Sequence, residues 1–104
     1  MDAIMQGTTP SLVIEVDKED FLFSDVTGID YRVRNGGRVI RYTMPDLQVD
    51  TDANTVTRVF TAEETQSFNM AYPIEVQFRC FFADGSVAAI NKLSYKVAEF
   101  IGME

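Results

Sequence analysis

The chain has 104 residues, enough for one domain around one hydrophobic core. Sixteen acidic residues against nine basic ones give a net charge of −7, which disfavours nucleic acid and anionic membrane surfaces as partners. Histidine is absent and Cys80 is the single cysteine, so Ser-His-Asp and Cys-His catalysis, the commonest zinc ligand and any internal disulfide are excluded.

The opening Met1-Asp2-Ala3-Ile4-Met5 lacks the basic and long apolar stretches of a secretory signal. No apolar run is long enough to span a membrane, so folding in the cytoplasm is expected. Gly7-Thr8-Thr9-Pro10 suits a kink in the first strand. Proline donates no hydrogen bond to a ladder and belongs at an edge or where the chain changes sheets. Ser11 to Val16 alternates, with Leu12, Ile14 and Val16 on one face. Asp17 to Asp25 is polar and turn-prone, broken by Phe21-Leu22-Phe23. Ile29, Tyr31 and Val33 then alternate with Asp30, Arg32 and Arg34, as in a strand with one wet face.

Asn35-Gly36-Gly37 is the clearest turn signal, because glycine and asparagine tolerate the positive φ of tight hairpins. Arg38 to Thr43 reads as its return strand, with Ile40 and Tyr42 on one face; Pro45-Asp46 breaks it. Leu47 to Val49 is a short strand, Asp50 to Asn54 a polar turn, and Thr55 to Phe60 alternates again. Thr61-Ala62-Glu63-Glu64 fits a capping box and predicts a short helical corner between Thr61 and Asn69. Tyr72 to Phe82 reads as the longest strand, with Tyr72, Ile74, Val76, Phe78 and Cys80 on its apolar face. Asp84-Gly85 is a second hairpin turn, Ser86 to Val97 returns, and Glu99 to Glu104 is a loose tail. About seven strands with turns at short intervals predict an all-β, antiparallel, immunoglobulin-like sandwich over residues 1–104.

Few residues carry chemistry. Asp50, Asp52 and Asn54 resemble part of a calcium loop but lack its central glycine and terminal glutamate, which favours a solvated turn. Asp17, Glu19, Asp20 and Asp25 read as a solvated acidic loop, and Cys80 as core. Tyr72 is placed either as a tyrosine corner, its hydroxyl tied to nearby backbone, or as an ordinary half-buried aromatic. Arg32, Arg34, Arg38 and Arg41 flank the first hairpin and form the best interaction candidate. They face an acidic partner, pair with Asp30 and glutamates across strands, or guard a sheet edge. No catalytic, cofactor-binding or metal-binding residue is expected, and the chain is read as non-enzymatic.

Taken together, Gly7-Thr8-Thr9-Pro10, Thr61-Ala62-Glu63-Glu64-Thr65, Ile74-Glu75-Val76-Gln77-Phe78-Arg79, Asp84-Gly85 and Ser94 resemble a family of small proteins. Its members are encoded in bacteriophage and prophage structural regions, mainly of Gram-positive hosts. The match runs through nearly the whole chain in order and spacing, and departs from the pattern at the acidic loop and the arginine-rich hairpin. The resemblance implies a virion tail or baseplate component, assembled in the host cytoplasm, with other tail proteins or further copies of itself as partners. Docking through sheet edges or end loops is expected. The alternative is a module binding a glycan or protein on the host surface, with Tyr31, Tyr42 or Tyr95 stacking on sugars.

Overall fold

The computed structural model describes residues 3–98. The chain is mostly β, as its alternation predicts. The described residues form eight strands: β1 (Ala3–Met5), β2 (Ser11–Glu15), β3 (Val26–Asn35), β4 (Arg38–Thr43), β5 (Gln48–Asp50), β6 (Thr55–Val59), β7 (Ile74–Phe82) and β8 (Val87–Ala98). One α-helix among the described residues, α1 (Ala62–Gln66), lies between β6 and β7. The strand beyond the expected seven is β1, and the tail from Glu99 to Glu104 lies outside the described residues.

Five strands form one sheet in the order β1-β8-β7-β3-β4, and three form a second in the order β2-β6-β5. Neighbours are antiparallel except β1, which runs parallel to β8. Gly7 to Pro10 is the stretch where the chain leaves the larger sheet for the smaller one, the place its proline suits. Gly7 takes a φ of 74°, which a residue with a Cβ adopts only at a cost.

The inner faces follow from parity. Ile29, Tyr31 and Val33 of β3 and Ile74, Val76, Phe78 and Cys80 of β7 are buried. Leu12, Ile14, Val56 and Phe60 meet them from the smaller sheet's side. Full burial of such side chains stabilises by roughly 1.5–3 kcal/mol each, so packing holds this fold without a disulfide. An aromatic row crosses the core: Phe68 to Phe60, Phe60 to Tyr42, Tyr42 to Tyr31, then Tyr31 stacked on Phe78 at 5.7 Å between centroids. Burial pushes the Cys80 thiol up to about 11, so at neutral pH it packs as a small apolar group.

Tyr31 contributes its ring but not its hydroxyl, which is buried without a hydrogen-bond partner among the described residues. Such a group carries its desolvation penalty uncompensated. Tyr31→Phe is therefore expected to raise stability by about 1 kcal/mol in urea unfolding at unchanged m. A loss of stability would mean that the hydroxyl has a partner after all.

The helical corner forms as the capping box predicts. The Glu64 amide donates to Thr61 Oγ1 at 3.1 Å, and the Thr61 amide donates to Glu64 Oε1 at 2.8 Å. Two expectations change along β7 and β8. The longest strand is β8, not the segment from Tyr72, and β7 begins only at Ile74. Pro73 has no N–H for the ladder, and the Tyr72 amide closes a turn onto Asn69 O at 3.2 Å, which holds Tyr72 outside the strand.

Candidate interaction surface

Register decides which side chains share the solvent-facing side of the larger sheet. Asp30, Arg32 and Arg34 of β3 lie opposite Thr43, Arg41 and Val39 of β4, and opposite Arg79, Gln77 and Glu75 of β7. Residues directly opposite in an antiparallel pair point to the same face. Lys92 of β8 joins them through Glu75, and Lys96 lies two residues beyond Ser94, which pairs with Glu75. Arginine and lysine thus dominate the outer face of a strongly acidic chain.

Two carboxylates hold five of these cations in place. Asp30 accepts from Arg32 at 3.2 Å and from Arg79 at 2.8 Å, and Arg41 stands 3.6 Å away. Its side chain is only 9% exposed beneath them. Hydrogen bonds from Arg32 and Arg79 outweigh burial, with the charges of Arg32 and Arg41 adding to them, and hold the carboxyl at about 2 instead of 3.8. Glu75 binds Lys92 at 2.6 Å and Arg34 at 2.7 Å, and both lower its pKa.

A depressed carboxyl stabilises the fold above its unfolded pKa and loses that contribution as pH falls through the folded value. The surrounding arginines are about half exposed, so solvent screening leaves about 1 kcal/mol of the shift. Asp30→Asn is expected to cost that amount at pH 6, with the gap to the wild type closing between pH 4 and pH 2. Chemical denaturation across that range measures it. Equal stability of the two proteins at pH 6 would mean that the three arginines need no central anion.

Three of the four arginines singled out in the sequence therefore meet on one face, and both pair with carboxylates and leave positive charge in surplus. Arg38 does not join them. It pairs with Asn35, on the side of β4 that carries Ile40 and Tyr42, and its guanidinium donates to Ser67 Oγ at 2.6 Å. Arg79, Lys92 and Lys96 are the members that sequence reasoning missed. The alternation Glu75-Gln77-Arg79 was the available signal, but it needed the pairing of β7 with β3 to place Arg79 beside Asp30.

Tyr72 is half exposed, and its ring covers the turn glycine. A Cβ at Gly36, where φ is 62°, would stand 2.8 Å from Tyr72 Cδ2. The contact to the first hairpin is thus made by the ring. The same junction is pinned by Asn35, which leaves the turn proper and is buried at the end of β3. Its side chain accepts from the Asn69 amide at 2.6 Å and donates to Asn69 O and Tyr72 O.

The polar turn before β6 also differs from expectation. Asp50 Oδ1 accepts from the Asp52 and Ala53 amides, as a turn residue does, but Asn54 is fully buried. Asn54 accepts from the Phe23 amide at 2.8 Å and donates to Val16 O at 2.8 Å and Phe21 O at 2.9 Å. It locks the acidic loop after β2 to the turn before β6. Phe21 carries the contact on to Phe82 beside the β7–β8 hairpin, with ring centroids 5.6 Å apart. Three acidic loops therefore form one connected end of the molecule. Between them Asp20, Asp25 and Asp84 border an open recess floored by Phe21 and Phe82.

Two of the three tyrosines expected to stack on sugars present no exposed ring. Tyr31 and Tyr42 lie in the core, and Tyr95 shares their inward side of the sheet, half-buried against it. Their alternation places them with the apolar residues of their strands. Comparison with protein-family models and with curated proteins finds no match to this chain.

Proposed function

We propose that this chain is a non-enzymatic structural protein of a bacteriophage or prophage, a tail or baseplate component that acts by protein–protein assembly. The observation that carries the assembly reading is the outer face of the larger sheet. Five of its cations are held in position by Asp30 and Glu75 beside β4, an edge strand with no further strand neighbour among the described residues. An open edge offers backbone hydrogen bonds to an incoming segment, and an ordered charged face selects that segment by its charge. The motifs resembling the phage family also sit at joints of the fold: Gly7 to Pro10 between the sheets, Thr61 to Glu64 at the corner, and Asp84-Gly85 at the last hairpin.

An immunoglobulin-like sandwich is the finer fold assignment within this proposal. The order β2-β6-β5 in one sheet, facing β8-β7-β3-β4 in the other, supports it. It corresponds to strands B-E-D against G-F-C plus one more, with the first strand carried over to the larger sheet. The protein would fold in the host cytoplasm and end in the virion. Mass spectrometry of purified, induced phage particles tests this: peptides in fixed ratio to tail proteins support it. Absence from particles while the protein is abundant in the producing cell would sink it.

A further inference from the structure

We propose that the basic outer face of the larger sheet docks on the acidic loop end of a second copy of this chain, in a head-to-tail contact. This rests on the assembly reading above and names the partner. On the face, among the described residues, six cations stand against Asp30 and Glu75, a surplus of four positive charges. At the end, the loop from Asp17 to Asp25, the Asp50–Asp52 turn and Asp84 carry seven carboxylates against Lys18 alone. One molecule thus displays both halves of a complementary pair. The two patches are different surfaces, so the contact is heterologous and a dimer keeps one face and one end free. Repetition then yields a closed ring or an extending stack, according to the rotation between copies.

The net charge of −7 does not forbid this. At physiological ionic strength charges separated by more than about 8 Å are largely screened, so the patches that touch decide the sign of the interaction. The acidic end is also suited to a guanidinium in particular. Its recess, of about 500 Å³, sets Asp20, Asp25 and Asp84 around the rings of Phe21 and Phe82. A carboxylate pairs with arginine through two parallel hydrogen bonds, and an aromatic face attracts the same cation. The end is pre-ordered as well, because Asn54 and the Phe21–Phe82 contact fix the three loops to one another before any partner arrives.

Sedimentation velocity on the full chain tests the contact, with two double variants. Arg41→Glu with Lys96→Glu removes the face's surplus, and Asp20→Lys with Asp25→Lys weakens the end. Asp20 and Asp25 are exposed, as is Lys96, and Arg41 is 65% exposed with its nearest carboxylate at 3.6 Å, so unchanged thermal melts are expected to show that all variants fold. The wild type is expected to associate at physiological ionic strength, with affinity falling at least about tenfold at high salt. Each variant alone is expected to stay monomeric. An equimolar mixture is expected to regain a dimer, because the intact end of one variant meets the intact face of the other. A wild type that stays monomeric at physiological ionic strength overturns the inference, as does association that both variants retain or a mixture that regains nothing. Recovery of the chain in phage particles despite a monomeric wild type would remove this contact and leave the assembly reading standing. Association without recovery in particles would do the reverse.

Discussion

Replacing Asn54 with alanine is expected to lower folding stability by about 3 kcal/mol and the melting temperature by more than about 10 °C. The side chain is fully buried and serves three backbone groups, the Phe23 amide and the carbonyls of Val16 and Phe21. Removing one partner of a buried hydrogen bond leaves the other to bear its desolvation cost, roughly 1–3 kcal/mol per group. Asn54 also has a φ of 56°, a region asparagine tolerates better than alanine. Two further variants separate these causes. Asn54→Gly relieves the backbone but still loses all three bonds, so it is expected to recover only about 1 kcal/mol of the loss. Asn54→Asp can still accept from Phe23 but donates to neither carbonyl, so it is expected to fall well short of the wild type. Equilibrium unfolding in urea reads all three. A near-neutral Asn54→Ala would mean that water takes over the three groups and that the acidic loop is not fixed from this position.

The alternation of apolar residues made the fold class legible, and the local turn chemistry made the hairpins and the helical corner legible. Leu12, Ile14 and Val16 are buried as their spacing predicts, Gly36 and Gly85 take the positive φ of turns, and Thr61 and Glu64 close the capping box. What stayed hidden are the contacts that depend on pairing between distant strands. Asn54 reads as one more polar residue in a polar turn, and nothing local distinguishes it from Asp52. Its burial comes from the loop after β2 folding over it. Asn35 likewise carries a turn signal in sequence, yet in the fold its side chain serves the segment before β7. The basic face was half legible for the same reason. Four arginines on one hairpin show in the sequence, three of which share the face, whereas Arg79 and Lys92 arrive through the register of β7 and β8, about forty residues or more further along. Strand β1 escaped because it is short and adds to the sheet in parallel, with no hairpin to announce it.

Glu64→Ala is expected to cost about 2–3 kcal/mol, because Glu64 ends one network as well as capping one helix. Its carboxylate pairs with Arg58 at 2.6 Å and accepts the hydroxyl of Tyr42, and the two charged side chains are only 14% and 18% exposed. Arg58 lies across the Tyr42 ring, its guanidinium carbon 3.9 Å from the centroid, and donates to Asp46 O. Removing the carboxylate leaves a largely buried guanidinium without its counter-charge, the costly way to break such a pair. The pair itself contributes less than that loss, since Arg58 Nε is buried without a partner among the described residues even with Glu64 in place. The double variant Arg58→Met/Glu64→Ala is therefore expected to be more stable than the sum of its single variants by at least about 1 kcal/mol. The pH dependence has a definite sign. Burial raises the pKa of Glu64, but the hydrogen bonds from Tyr42 and the Thr61 amide and the charge of Arg58 outweigh it, so the folded value lies below 4.5. The contribution is then complete above the unfolded pKa and fades as pH drops through the folded one. The gap between wild type and Glu64→Ala is expected to hold from pH 7 to about pH 5 and to narrow below it. A gap that stays constant down to pH 3 would assign the loss to helix capping and packing, and would remove the ion pair as its cause.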